Sequence, residues 1–176
     1  MRRINGFLAE QGEHVRAFAP ASGEAMWRFL ALLGLSMALG LGPAAASDRG
    51  SRDEAVAMVK RVEAMFQKDG PDTTFKAVTE QDTAFHDRDL YPFIYTLDGV
   101  CVAHGANPAL VGKNLIDLKD QDGKFLIREL ASTAKNPGAG WVDYKWPNPT
   151  TKLIEAKSSY VERMGDYFVG VGVYQQ

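Results

Sequence analysis

Leu90-Tyr91-Pro92-Phe93-Ile94-Tyr95-Thr96-Leu97-Asp98-Gly99-Val100-Cys101-Val102-Ala103-His104 carries the clearest local signal in this chain. Two runs rich in aromatic and β-branched residues flank Asp98-Gly99, the short-range pattern of a β-hairpin, since the turn needs the positive φ that glycine supplies cheaply. With a two-residue turn, Leu97 pairs with Val100, Tyr95 with Val102 and Phe93 with His104. Side chains alternate along strands. Tyr91, Phe93, Tyr95, Val102 and His104 therefore share one face, and Ile94, Thr96, Cys101 and Ala103 the other. Pro92 has no N–H to donate, which suggests a free edge near the start of the first strand.

Beyond the hairpin, a loop rich in Gly, Asn and Pro (105–114) leads to Leu115-Ile116-Asp117-Leu118. Residues 122–135 read as a helix with Phe125, Leu126, Leu130 and Ala134 in register, ended by Asn136-Pro137-Gly138. Three strand-like runs follow, 141–146, 153–164 and 167–174, joined at Pro147-Asn148-Pro149 and Gly165-Asp166. Before the hairpin, 53–68 reads as an amphipathic helix with Val56, Val59, Val62 (or Glu63) and Phe66 on one stripe, flanked by Met58 and Met65. Ser51 or Asp53 can cap it and Gly70-Pro71 stops it. A short second helix, 72–80, is capped by Asp72 and turns Phe75 and Val78 inward. The order is helix, helix, hairpin, helix and a three-stranded meander. Such short connections suit an α+β fold, an antiparallel sheet with its helices on one side.

The N-terminal quarter is different. Phe29 to Ala46 is 18 residues without a charge, preceded by Arg28, broken by Gly42-Pro43 and closed by Ala44-Ala45-Ala46. This is the pattern of a secretory signal peptide cleaved after Ala46. An uncleaved anchor is the competing reading, but the strongly apolar part ends near Leu41 after about 13 residues, short of the roughly 20 that span a bilayer. Met1 to Ala25 is polar and of mixed charge, whereas Met26-Trp27-Arg28 makes a normal basic start, so translation is expected to begin at Met26 rather than with a long leader. Residues 1–46 thus form a non-mature segment and 47–176 a single domain, periplasmic or secreted.

The whole chain has 176 residues, 45% hydrophobic and 24% charged, with a formal charge of −2. Four arginines (Arg2, Arg3, Arg16, Arg28) and three glutamates (Glu10, Glu13, Glu24) lie in the leader, which leaves the mature part at −3. That composition excludes disorder and low complexity, and the lack of a basic field argues against a nucleic-acid partner. One cysteine, Cys101, forms no internal disulfide.

Read together, Tyr91-Pro92-Phe93, Asp98-Gly99, Ala103-His104, Gly112-Lys113-Asn114, Lys119-Asp120-x-Asp122-Gly123-Lys124, Trp146-Pro147, Lys157-x-x-Tyr160-Val161 and Gly170-x-Gly172-Val173-Tyr174 occur in an order that resembles the single Cache family. These are extracytoplasmic, PAS-like sensor modules of bacterial chemoreceptors and sensor kinases. The resemblance runs from Asp53 to Tyr174. It implies a long N-terminal helix packed on a five-stranded antiparallel PAS-like sheet, and a small metabolite as ligand, often a short carboxylate such as acetate, propionate, lactate or pyruvate. Here the sequence stops at Gln175-Gln176, without the membrane helix and output domain of such receptors. The expectation is a free-standing secreted member that signals through a separate membrane partner, a histidine kinase or a chemoreceptor.

A carboxylate site needs hydrogen-bond donors and a cation. The hairpin face offers Tyr91, Phe93, Tyr95 and His104, against the alternative of an aromatic core with a satisfied histidine. Lys157, mid-strand between Ala156 and Ser158, is the best cation, ahead of Lys113 and Arg128. Tyr160 is three residues on, so it lines the same pocket only if a bulge intervenes. Trp141, Tyr144 and Trp146 form a second aromatic cluster, with Tyr144 and Trp146 on one face and Trp141 on the other. A pocket filled by these rings would instead make an interaction protein that docks on a membrane receptor without a metabolite.

Other motifs carry less. With Gly123 in the sixth position of a calcium loop, Asp120, Asp122 and Glu129 fall correctly, but the first ligand would be Leu118. A turn with a helix N-cap is the better reading. His86, Asp87 and Asp89 are a weak metal set. Gly170-Val171-Gly172 lacks the third glycine and the helix of a dinucleotide loop, and reads as a strand whose glycines allow close packing. No nucleophile–base set and no phosphate loop is present, so neither an enzyme nor a cofactor is expected. The sequence sets no oligomeric state.

Overall fold

The computed structural model describes residues 48–175. The expected leader, cleavage site and Met26 start lie outside the described residues. Helix α1, Arg52–Asp69, starts at a capping box: Ser51 Oγ accepts the Glu54 N–H while the Glu54 carboxylate accepts the Ser51 N–H. Its buried stripe is Ala55, Met58, Val59 and Val62, one position round from the expected one, so Val56 is only half-buried. Gly70 at φ 82° ends α1 and begins α2, Pro71–Thr79. Pro71 takes the first helical position, where its missing N–H costs nothing. Asp72 therefore falls inside the first turn and is not the cap expected of it.

Strand β1 is Pro92–Thr96 and β2 is Cys101–His104. After α3, Leu126–Lys135, come β3, Ala139–Pro147, β4, Ile154–Met164, and β5, Tyr167–Tyr174. The five strands are antiparallel in the order β2-β1-β5-β4-β3. Strand β1 thus lies inside the sheet, not at a free edge. Pro92 is tolerated because it is the strand's first residue, where the missing donor costs least.

The hairpin turn is one residue longer than expected. Gly99 N–H donates to Thr96 O and Thr96 N–H to Val100 O, so the loop is Leu97-Asp98-Gly99 with Gly99 at φ 89°. Tyr95 therefore faces Cys101. A bulge at Val102 then restores the register, and Ile94 pairs with Ala103 and Phe93 with His104. Its consequence is a swap, in which Cys101 joins the face of Phe93 and Tyr95 while Val102 packs with the opposite cluster.

The helices occupy both faces of the sheet, not one. Helices α1 and α2 cover the face of Ile94, Ala103, Val169, Val171 and Val173. Helix α3 covers the other, where Leu126, Ile127 and Leu130 pack over Phe93, Tyr95, Tyr144, Val161 and Phe168. Helix α3 starts at Leu126 without a side-chain cap, four residues later than expected. The Asp120 turn that precedes it does no capping. Its Oδ1 takes the N–H groups of Asp122 and Lys124, and its Oδ2 takes the N–H of Lys145 on β3. Among the described residues no helix is long and apolar enough to cross a membrane.

Candidate ligand-binding site

The face under α3 holds a cavity lined by Tyr91, Phe93, Tyr95, His104, Tyr144, Trp146 and Lys157, with Leu126, Ile127 and Leu130 as an apolar roof. The seven residues from the sheet and the chain leading into it are all among those the sequence singles out. The space between the walls is about 10 Å³, room for about one water molecule.

Strand parity brings them together. Strand β4 is regular, and Lys157 pairs with Tyr144 on one side and Tyr174 on the other. Lys157, Ser159 and Val161 point to the cavity face. Without a bulge, Tyr160 points the other way and lies at 5.5 Å from Trp141, whose ring carries the Arg52 guanidinium at 4.0 Å. Tyr160 and Trp141 therefore stand apart from the cavity. Lys113 is exposed, and Arg128 is engaged by Asp117 and by the Phe125 ring.

Lys157 is 1% exposed. Its Nζ donates to Tyr91 Oη at 2.8 Å and lies 4.0 Å from the Tyr91 ring and 4.7 Å from that of Tyr174. Tyr174 donates to the Pro147 carbonyl at 2.7 Å. Tyr91, 3.0 Å away, must then donate to Tyr174. The proton order is fixed along Lys157, Tyr91, Tyr174 and Pro147. Among the described residues no carboxylate lies within 4.0 Å of Nζ. Burial pushes the Lys157 ammonium well below its usual range, and only the more distant charge of Asp89 acts against that. Asp89 is itself buried, its Oδ1 taken by the Gly50 N–H at 2.7 Å. That contact and the Asp87–Arg88 ion pair divide the weak His86-Asp87-Asp89 set.

His104 is held in one tautomer. Its Nδ1 accepts the N–H groups of Ala106 (3.2 Å) and Asn107 (3.0 Å), which leaves the proton on Nε2. Burial, and then the Lys157 charge, lower its pKa to about 3. The imidazole is thus a neutral donor, 5.4 Å from the Tyr91 ring and 6.4 Å from Trp146. Burial raises the hydroxyls of Tyr91, Tyr95, Tyr144 and Tyr174, which stay protonated. It also raises Cys101 to about 11, an inert thiol.

Sequence reasoning missed Tyr174 and the roof of α3. The signal for Tyr174 is parity along β5. Phe168, Gly170, Gly172 and Tyr174 share the cavity side, and both glycines are needed there. A Cβ on Gly170 would meet the Phe93 ring, and one on Gly172 would meet Lys157 Cε and Ser159 Oγ. Lys157 lies over Gly172 because nothing projects from it.

These elements, joined in this order, recur in known proteins. Residues 59–176 match the Cache domain family. The sensor histidine kinase MctS of Rhizobium johnstonii is 35% identical over 120 residues, 64% of this chain and 25% of the kinase. A crystal structure of a methyl-accepting chemotaxis protein from Vibrio parahaemolyticus aligns with a TM-score of 0.61 at 26% identity, over 69% of this chain and 86% of that one. A structure described as the basis for carboxylic acid recognition by a Cache chemosensory domain aligns with a TM-score of 0.56 at 26% identity, over 70% of this chain and 88% of that one. The chain spans a quarter or less of the length of the known relatives it matches.

Proposed function

This chain belongs to the Cache domain family of sensory modules, and on that premise we propose that it is an extracytoplasmic sensor that binds a short carboxylate under α3 and signals through a separate membrane kinase or chemoreceptor. The observation that carries the reading is Lys157, a fully buried lysine with no ion-pair partner among the described residues. Burying an unpaired charge is costly, and an apolar side chain of equal length fills the same space at no such cost. An incoming carboxylate supplies the missing countercharge. Lys157 Nζ and the Nε2–H of His104 give it donors, and the rings and the α3 roof enclose a short alkyl chain. A Cache chemosensory domain that recognises carboxylic acids and a sensor histidine kinase, both similar to this chain, support both halves of this reading.

The tightness of the cavity favours a second reading, a closed module that docks on a receptor without a metabolite. Calorimetry and thermal shift with acetate, propionate, lactate and pyruvate separate the two. Binding by the natural chain, abolished in Lys157→Met, is the expected result. Silence with every acid, from a folded and extensively dialysed sample, refutes the carboxylate site and leaves the docking module.

A further inference from the structure

The inner cavity is bordered by two larger chambers. One, about 310 Å³, reaches it past Tyr144 and Lys157 and is lined by Asp120, Asp122 and Asp143 beside Lys124 and Lys145. The other, about 250 Å³, shares Tyr91, His104 and Trp146 with the cavity, and its rim is formed by Ala106, Asn107, the 147–149 turn and Lys152. Charge distinguishes them. Three carboxylates line the first chamber, whereas the second has none and carries one lysine. An anion entering the second chamber meets Lys152 and no carboxylate in its lining, and the Glu155 carboxylate behind Asn148 is paired with Arg49.

Hydrogen bonding distinguishes the three shared walls. Tyr91 is fixed by its hydrogen bonds to Lys157 and Tyr174, and His104 by two backbone N–H groups. The rim itself is pinned. Asn148, buried, takes the N–H groups of Thr150 and Thr151 and donates to Glu155, while His104 holds residues 106 and 107. Trp146 is half-buried at the end of the edge strand β3; it donates one side-chain hydrogen bond, to the Tyr91 hydroxyl, and otherwise rests on His104 and Tyr144 through ring contacts at 6.4 and 6.3 Å. Since the cavity has room for about one water, a larger guest needs a wall that moves, and Trp146, with a single side-chain hydrogen bond, is the one of the three with the fewest.

We propose that the chamber between residues 106–107 and 147–152 is the entrance to the buried site, that Trp146 is its gate, and that Lys152 draws anions into it. The inference rests on the carboxylate reading for what passes through, but the entrance is testable without that ligand. In the full chain carrying Trp27→Phe and Trp141→Phe, Trp146 is the sole remaining tryptophan. Iodide quenching of its fluorescence at low ionic strength should fall roughly threefold in Lys152→Glu, with quenching by neutral acrylamide unchanged. Equal iodide quenching in both proteins overturns the entrance.

The gate is tested by a plug. Cys101 is buried, so Ala106→Cys provides one reactive thiol on the rim for a bulky maleimide. Labelling there should slow propionate association, followed at Trp146, at least about tenfold, while the same label on Asp98→Cys leaves it unchanged. An unchanged rate in the labelled Ala106→Cys protein overturns the gate. If the unlabelled chain shows no response to acetate, propionate, lactate or pyruvate, the carboxylate reading fails and the gate with it, while the iodide comparison by itself decides the entrance.

Discussion

Replacing Lys157 by methionine should make the protein more stable and deaf to its ligand. Methionine keeps the unbranched length and gives up only the charged tip. The loss is one hydrogen bond to Tyr91 at 2.8 Å and ring contacts at 4.0 and 4.7 Å, together about 2–3 kcal/mol. The gain is relief from desolvating an ammonium without a partner, several kcal/mol after relaxation. The balance favours methionine by about 1–2 kcal/mol, or a Tm higher by about 3–8 °C for a domain of this size. The sign with pH follows from the depressed pKa. Between that lowered value and the usual 10.5, the unfolded chain holds a proton on Lys157 that the folded chain has released. Stability of the natural protein therefore climbs with pH through this window, whereas the variant has no such climb. The advantage of Lys157→Met is greatest on the acid side of the window and vanishes above pH 10.5. Calorimetric melting from pH 6 to 10 for both proteins, with propionate titrations alongside, measures all of this. A variant that melts several degrees lower at pH 7 would show that the ammonium is stabilising in place, and the argument from an unpaired charge would fall.

If Lys157 is partly neutral when empty, carboxylate binding takes up a proton; calorimetry in buffers of different ionisation heat should show that uptake, with affinity falling as pH rises, and pH-independent binding contradicts it. His104, lowered from 6.5 to about 3, binds a proton in the unfolded chain before it does in the folded one, so stability drops as pH falls from 6.5 towards 3, by roughly 4 kcal/mol at about 1.4 per unit; His104→Gln should flatten that part of the profile in urea titrations. Gly172→Ala puts a methyl on Lys157 Cε and Ser159 Oγ; it should cost about 1 kcal/mol, the low end of overpacking because the lysine tail can shift, yet weaken carboxylate binding at least about tenfold, and intact affinity would show that Lys157 does not need that place. Ser51→Ala removes one arm of the α1 capping box and should cost about 1 kcal/mol, read as a lower urea midpoint with ligand affinity unchanged.

Parity along single strands was legible from residues alone, and what parity needs from neighbours was not. The hairpin shows both. A two-residue turn gave the correct Phe93–His104 pair only because the longer Leu97-Asp98-Gly99 loop and the Val102 bulge cancel each other, and Cys101 and Val102, lying between the two irregularities, came out on exchanged faces. Strand β4 has no such irregularity, so the parity that separates Lys157 from Tyr160 could be counted directly. Amphipathicity says that α3 buries a face but not which side of the sheet it covers; that depends on how the chain crosses from β2 to β3, at the two edges of the sheet. The same limit hid Tyr174. Its strand could be read to the residue, but it becomes part of the site only because β5 lies between β1 and β4, which sets its hydroxyl against that of Tyr91. Lys157 is the sharper case. Its neighbours Ala156 and Ser158 give no sign of burial, and the residue that permits it, Gly172, is fifteen positions away on the adjoining strand. A buried charge in this fold is thus written as a pair, a lysine on one strand and a missing side chain on the next, and only the pairing of those strands makes the two into one feature.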